Sequence, residues 1–392
     1  MERQREMSNQ LISLFLPSVH GGGAERAMLV FGGELARRGY KVDLVVAKFQ
    51  GPHVNCIPEG MRVIDLDCSR MLKAITPLAR YLTRCKPQAL FSTITHANIA
   101  AVCAARWARV SCPVIVRQSN APRAETKDSL GRYVASRIIP YAYIRASAVI
   151  AVSEGVKSEL LELNCKLSRL TRVIPTPVLT EEVRSLGMEE PPHPWFRDNE
   201  IPVVLSAGRL EPHKGMLDLV RAFRQVRDGR PTRLVILGQG SDRARIEAEV
   251  KRLGLAKDVS LPGFFSNPFS CMRSARVFAL ASHYEGLPNV LIQALSFGTP
   301  VVATDCKSGP SEILERGRLG RLVPVGDTDA LAQAILCSID LPQQDAAREM
   351  VWRRYGAEGA TTQYLQLAGL LAKAQGVSRE GSERGVGRGC YG

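Results

Sequence analysis

Aromatic residues make up only 6% of the 392 positions. Single-strand nucleic-acid binders stack bases on aromatic rings, so that platform is thin here. The formal charge of +14 would suit a nucleic acid, but lysine and arginine are spread along the chain rather than blocked. An anionic membrane surface or a phosphate-bearing substrate accounts for the excess equally well, and no nucleic-acid partner is expected. Long apolar runs are missing too, since none reaches the roughly 20 residues of a membrane-spanning helix. The start, MERQREMSNQLISLFLP, is charged and then briefly apolar, and GGGAER follows too soon for a secretory signal. A cytoplasmic address is expected. The ten cysteines form no C-x-x-C pair. Zinc and redox spacings are therefore absent, and reduced, mostly buried thiols fit.

What the chain does have is rhythm. QLISLFLP, YKVDLVVA, QALFST, CPVIVRQS and ASAVIAVSE are short apolar runs separated by amphipathic stretches such as ERAMLVFGGELARRG. That alternation predicts an α/β fold with a parallel sheet covered on both faces. TEEVRSLGMEEPPHPWFRDNE (180–200) is acidic, proline-rich and aperiodic and reads as a linker, after which IPVVLSAGRL, TRLVILGQG, DVSLPGF, ARVFALAS and TPVVATD repeat the rhythm. We expect domains at 1–185 and 186–345, helices at 346–375 and a disordered tail at 376–392.

Ligands of open parallel sheets bind where loops leave the strand ends. After the first strand, HGGGAER offers backbone N–H groups at Gly22 and Gly23 to an anion, although a tight turn would use the same residues. It is no dinucleotide fingerprint, because Arg26 stands where the last glycine would be. SAGRLEPHKG carries Arg209 and Lys214, a guanidinium fork and a point charge suited to a diphosphate, or else two solvated cations. In LPGFFSNPF, the backbone at Gly263 and Phe264 could face a planar base. In HYEGLPNVLIQALSFGTPVVATD, Glu285 precedes a helix opened by Pro288, and Gln293 lies about two turns along. A carboxylate there is usually a cap, but Gly-Leu-Pro displaces Glu285 from the capping position. His96 follows a strand and faces the expected cleft, so it is a catalytic candidate as much as a structural one; His20 has a weaker claim. In SRMLKAITPLARYLTRCK, Leu72, Ile75, Ala79 and Leu82 form one helical face, with Lys73, Arg80 and Arg84 elsewhere. An ordinary core-facing helix is preferred to a membrane-binding one.

GGGAER, AVSEGVKSEL, VIPTPV, GRLEPHKG, LPGFFSNPF and EGLPNVLIQALSFGTPVVATDCKSGPSEIL together resemble the GT-B glycosyltransferases of family 4, retaining enzymes that use nucleotide sugars. The DCKSGPSEIL ending looks like the subgroup building bacterial surface polysaccharides and lipid-linked oligosaccharides. The resemblance implies two Rossmann-like αβα domains facing across a cleft, with a C-terminal helix returning to the first. It also implies that Arg209 and Lys214 bind the diphosphate and that Glu285 contacts donor-sugar hydroxyls. Gly286 and Leu287 would meet phosphate through their amides. Position 293 is where the family carries a second glutamate on the ribose, and Gln293 lacks its charge-assisted strength. Weaker donor binding or altered nucleotide choice is expected. Thr176 likewise replaces the family's asparagine. No metal is required by the family, and the triplets Asp65-Leu66-Asp67 and Asp327-Thr328-Asp329 read as structural.

The expected function is retaining transfer of a hexose or N-acetylhexosamine from a nucleotide sugar, with UDP as the expected carrier, to a lipid-linked or surface-polysaccharide acceptor. Arg209, Lys214, Glu285 and His96 form the catalytic set, and peripheral contact with an anionic inner membrane face is compatible with the basic first half. Two other readings are a degenerate homologue that binds a nucleotide sugar or a partner, and a nucleotide-sugar epimerase of similar fold.

Overall fold

The computed structural model describes residues 10–19, 22–51, 54, 56–120, 137–197 and 200–371. Its first sheet has seven parallel strands: β1 (Leu11–Leu16), β2 (Lys41–Val46), β3 (Met61–Asp65), β4 (Ala89–Thr93), β5 (Val114–Gln118), β6 (Ala148–Ala151) and β7 (Thr171–Val173). The order is β3-β2-β1-β4-β5-β6-β7. The second has six: β8 (Val203–Ala207), β9 (Arg233–Leu237), β10 (Val259–Gly263), β11 (Val277–Leu280), β12 (Val301–Thr304) and β13 (Arg321–Val323), in the order β10-β9-β8-β11-β12-β13. Central strands such as β4, β8 and β11 are buried throughout, because helices cover both faces. This is the GT-B arrangement.

Each sheet reverses its strand order once, between β1 and β4 in the first and between β8 and β11 in the second. Connections leave in opposite directions there and open a crevice at the strand ends. The glycine loop and His96 follow β1 and β4; Arg209, Lys214 and Glu285 follow β8 and β11.

Two expectations need correction. The stretch 180–200 is not aperiodic, for Glu181–Gly187 is a helix. Thr180 caps it by accepting a hydrogen bond from Val183 N, and Val183 is buried. The helix Met71–Cys85 buries Ala74, Leu78, Ala79, Tyr81 and Leu82, whereas Leu72 is 80% exposed. The buried stripe starts at Ala74, so Leu72 in the first turn lies off it; Lys73, Arg80 and Arg84 are solvated as expected.

The chain crosses between domains twice at one place. Leu179 N donates to Tyr355 O at 3.4 Å, and Ala357 N donates to Leu179 O at 2.8 Å. Beyond the crossing, the helix Ala357–Leu367 docks on the first domain, as expected. The Tyr364 ring meets Phe31 edge-on at 4.9 Å and stacks near Phe91, and its hydroxyl accepts from Arg117 Nε at 3.2 Å. Residues 376–392, expected to be a tail, lie outside the described residues.

Candidate active site

At the exit of β8 the chain turns through Pro212–Lys214 and passes beneath β11 at Gly215. A Cβ there would lie 1.9 Å from the Ala281 carbonyl oxygen, and φ is +63°, so only glycine allows the approach. The turn brings Lys214 to the exit of β11. Its Nζ lies 2.6 Å from Glu285 Oε1, and Ser282 Oγ donates to the same oxygen at 2.7 Å. Glu285 is 9% exposed and Lys214 18% exposed, so the pair is largely out of water. Among the described residues both bonds fall on Oε1, which leaves Oε2 to accept a ligand hydroxyl. His283 N donates to His213 O at 2.8 Å, and the His213 ring stacks on Tyr284 at 4.6 Å, so the two loops are fixed to each other. Arg209 is exposed, with no ion pair to a described residue. The site therefore pairs one cation with a carboxylate and keeps another in reserve for an anion.

The first domain meets this group across the crevice. Gly23 O accepts from Asn289 Nδ2 at 3.2 Å, at the head of the helix Asn289–Leu295. Gly286 O accepts from Ser153 Oγ at 3.0 Å, and a Cβ on Gly286 would stand 2.1 Å from Ser119 O. Gly286 and Leu287 are buried between the domains. The glycine loop holds a detail that sequence alone conceals. Glu25 Oε2 lies 2.3 Å from where a Cβ on Gly22 would be. The chain's own carboxylate thus folds back over Gly22 at the start of the helix Gly23–Arg37.

The remaining candidates make no hydrogen bond or ion pair to Lys214 or Glu285 among the described residues. Gly263 ends β10 with φ +94°, and its carbonyl accepts from Gly238 N at 2.8 Å, while Phe264 is 53% exposed. Gln293 is buried, with no side-chain hydrogen bond to a described residue. His96 is exposed in the first turn of the helix Thr95–Ala108, two residues after Ile94. Ile94 has φ +74°, a strained value for a β-branched residue. No hydrogen bond joins His96 to Glu285 or Lys214 among the described residues. His20 lies outside them. Thr176 is structural, since its hydroxyl accepts from buried Arg117 at 2.7 Å. Both Asp triplets hold backbone: Asp65 Oδ1 accepts from Asp67 N, and Asp327 caps the helix Thr328–Ile339.

The loop GQGSDR follows β9 at 238–243. A Cβ at Gly238 would sit 1.8 Å from Gly208 O, and one at Gly240 2.3 Å from Leu210 O. These glycines let the β9 loop press against the Arg209 loop, and the G-x-G spacing at a strand end was the available signal. Asn289 and Ser282 were missed because nothing in their neighbours marks them.

Burial pushes the imidazoles of His96, His193 and His213 below their ordinary value, helped at His213 by Lys214 and at His193 by Arg233. A lowered folded-state value means that the unfolded chain takes up these protons first. Stability is then full above about pH 6.5 and falls as pH drops below it. Melting temperature is expected to be lower at pH 5.5 than at 7.5, with a shallower slope in His213→Gln. An unchanged or steeper slope for that variant would sink the assignment.

Comparison with known proteins agrees with this fold. Residues 21–182 match the model described as Glycosyltransferase Family 4, and residues 201–340 match that of Glycosyl transferases group 1. An uncharacterized glycosyltransferase of Methanocaldococcus jannaschii is 29% identical over 62% of this chain, a match spanning 59% of that relative's length. The N-acetylgalactosamine-N,N'-diacetylbacillosaminyl-diphospho-undecaprenol 4-alpha-N-acetylgalactosaminyltransferase of Campylobacter jejuni is 26% identical, over 83% of this chain and 89% of its own. The crystal structure of Anabaena HepE with UDP and glucose superposes with a TM-score of 0.75 at 20% identity, covering 93% of this chain and all of that one.

Proposed function

Because the chain belongs to the GT-B glycosyltransferases, we propose that it is a retaining, family-4-type enzyme. In this reading it moves a hexose or N-acetylhexosamine from a UDP-linked donor to a lipid-linked or surface-polysaccharide acceptor. The observation that carries it is the largely buried Lys214–Glu285 pair, with Arg209 in the same loop as Lys214 and without an ion pair among the described residues. Arg209 and Lys214 neutralise the diphosphate as it departs, and Glu285 Oε2 accepts a donor-sugar hydroxyl. Gly286 and Leu287 offer amides to phosphate, Gly22 and Gly23 close the opposite wall, and the base lies along Gly263 and Phe264. His96 meets the donor sugar from the β4 side. The sugar–phosphate bond breaks as the acceptor oxygen attacks the same face, and the acceptor proton passes to the leaving phosphate oxygen. With two cations in place, charge neutralisation requires no metal ion.

The acceptor is inferred from the relative named for a diphospho-undecaprenol substrate. Among the described residues no helix is long and apolar enough to cross a membrane. Exposed Leu72 beside solvated Lys73 supports peripheral contact with an anionic inner membrane face. Gln293 favours a second reading, in which the chain binds nucleotide sugar without turning it over.

Calorimetry with UDP and GDP tests both. UDP is expected to bind in preference to GDP, and Gln293→Glu to tighten UDP by about tenfold, the difference between a neutral and a charge-assisted hydrogen bond. UDP binding without turnover of any UDP-sugar would support the degenerate reading. Absence of nucleotide binding in both proteins would remove the proposal's main support.

A further inference from the structure

The end of β5 carries a polar cluster that the proposed chemistry does not use. Gln118, Asn98 and Tyr143 are all fully buried. Gln118 Nε2 donates to the backbone oxygen of Asn120 at 2.8 Å and to Thr95 Oγ1 at 3.0 Å. Tyr143 donates its hydroxyl proton to Gln118 Oε1 at 2.5 Å and accepts from Asn98 Nδ2 at 2.8 Å. Asn98 Nδ2 also donates to the Arg117 carbonyl at 3.0 Å.

Two backbone carbonyls, Asn120 O at one end and Arg117 O at the other, set the direction of the whole chain. A backbone carbonyl only accepts, so Asn120 O fixes which end of the Gln118 amide faces it. That turns Oε1 toward Tyr143, which obliges the tyrosine to donate there and to accept from Asn98. Gln118 and Tyr143 are therefore each held in a single orientation, while Asn98 Oδ1 is buried with no partner among the described residues.

The two loops that Gln118 ties together are the ones that matter to the site. Thr95 lies between strained Ile94 and His96. Ser119 and Asn120 form the wall against Gly286, with Asn120 Cα 2.9 Å and Ser119 O 2.1 Å from where a Cβ would be. Gly286 directly follows Glu285. The amide of Gln118 thus sits between the loop bearing a proposed catalytic histidine and the loop that seats the donor-sugar carboxylate.

We propose that Gln118, locked by Tyr143, is a positioning residue that sets the His96 loop and the Glu285 loop relative to each other. It touches neither substrate in this assignment and acts through Thr95 and Asn120. The catalytic consequence rests on the glycosyltransferase reading, but the mechanical coupling does not. A core amide serving only packing would tolerate a same-shape replacement with, at most, a uniform loss of stability.

The test uses the full chain with Gln118→Glu and the milder Tyr143→Phe. Glutamate keeps the shape but cannot donate to Asn120 O. Hydrogen exchange without ligand should rise together at 94–98 and 285–287 in Gln118→Glu, and less in Tyr143→Phe. With a UDP-sugar and polyprenyl-diphosphate acceptor that support wild-type turnover, kcat for transfer should fall about 10- to 100-fold, the scale of a 1 Å misplacement. UDP affinity should fall far less than kcat, since Arg209 and Lys214 are untouched, and donor hydrolysis should rise relative to transfer. Exchange confined to 118–120, or transfer and UDP affinity lost in parallel with melting temperature, would overturn the proposal. Wild-type inactivity with every donor would count against the glycosyltransferase reading alone and leave the exchange result to decide the coupling.

Discussion

Lys214→Met is expected to lower kcat/KM by about 10²–10³-fold, the usual result of deleting one group that stabilises charge developing in a transition state. The same change strands Glu285, which is 9% exposed, without its cation. Breaking a fully buried pair costs about 3–5 kcal/mol, and partial exposure of Lys214 reduces this to about 2 kcal/mol. Two effects are then mixed in one variant, and a second substitution separates them. Adding Glu285→Gln removes the stranded charge, and the amide oxygen still accepts from Ser282 Oγ. Stability should return while activity does not. Urea unfolding gives the first quantity and UDP release the second. If Lys214→Met keeps kcat/KM within fivefold of wild type, the lysine is not on the phosphates and its role is structural.

Gly286→Ala is the second large effect. The new Cβ would stand 2.1 Å from Ser119 O, and the obstacle is backbone rather than the end of a flexible side chain. Either the Glu285 loop retreats or the domains move apart. In both cases the first-domain wall leaves the donor sugar, and transfer should fall by about 10²-fold, as it does when reacting groups are displaced by an ångström or so. UDP affinity should change little where the domains open, because Arg209, the β9–β10 rim and the Gly286 and Leu287 amides all lie on the second domain. It should weaken where the loop retreats and carries those amides off the phosphate. A small-angle scattering profile with a larger radius would identify domain opening, and an unchanged profile would identify local retreat. Wild-type transfer by this variant would show that the contact with Ser119 is dispensable.

Much of the fold could be read from the sequence because a parallel sheet covered on both faces writes itself as continuous apolar runs. β1, β2, β4, β5 and β6 were visible for that reason. β7 was not, since as an edge strand it is short and only partly buried. The helix Glu181–Gly187 was hidden by its acidic, proline-rich flank, although Thr180 is an ordinary capping signal. The site divides in the same way. Arg209, Lys214 and Glu285 stand out because charged residues at strand ends are chemically conspicuous. Their pairing is not visible, because Lys214 and Glu285 are 71 residues apart and only the fold brings them to 2.6 Å. Glu25 folding onto Gly22, and Gln118 meeting Tyr143, depend on side-chain geometry that no spacing encodes. A glycine's reason is the atom opposite it, and for Gly215, Gly238 and Gly286 that atom is a distant carbonyl oxygen.

The return of the helix Ala357–Leu367 bears on how the protein is made. Phe31 and Phe91 belong to the first domain, yet the Tyr364 ring that covers them belongs to a segment encoded after the second. During synthesis the first domain leaves the ribosome with that apolar face bare, and it stays bare while the second domain is translated. At about 5–20 residues per second this exposure lasts many seconds, long compared with the folding of most domains. A chaperone meeting the nascent chain would find its docking place on that face. Splitting the gene at the domain boundary would yield a first half that remains sticky, unless residues 357–371 are grafted back onto it.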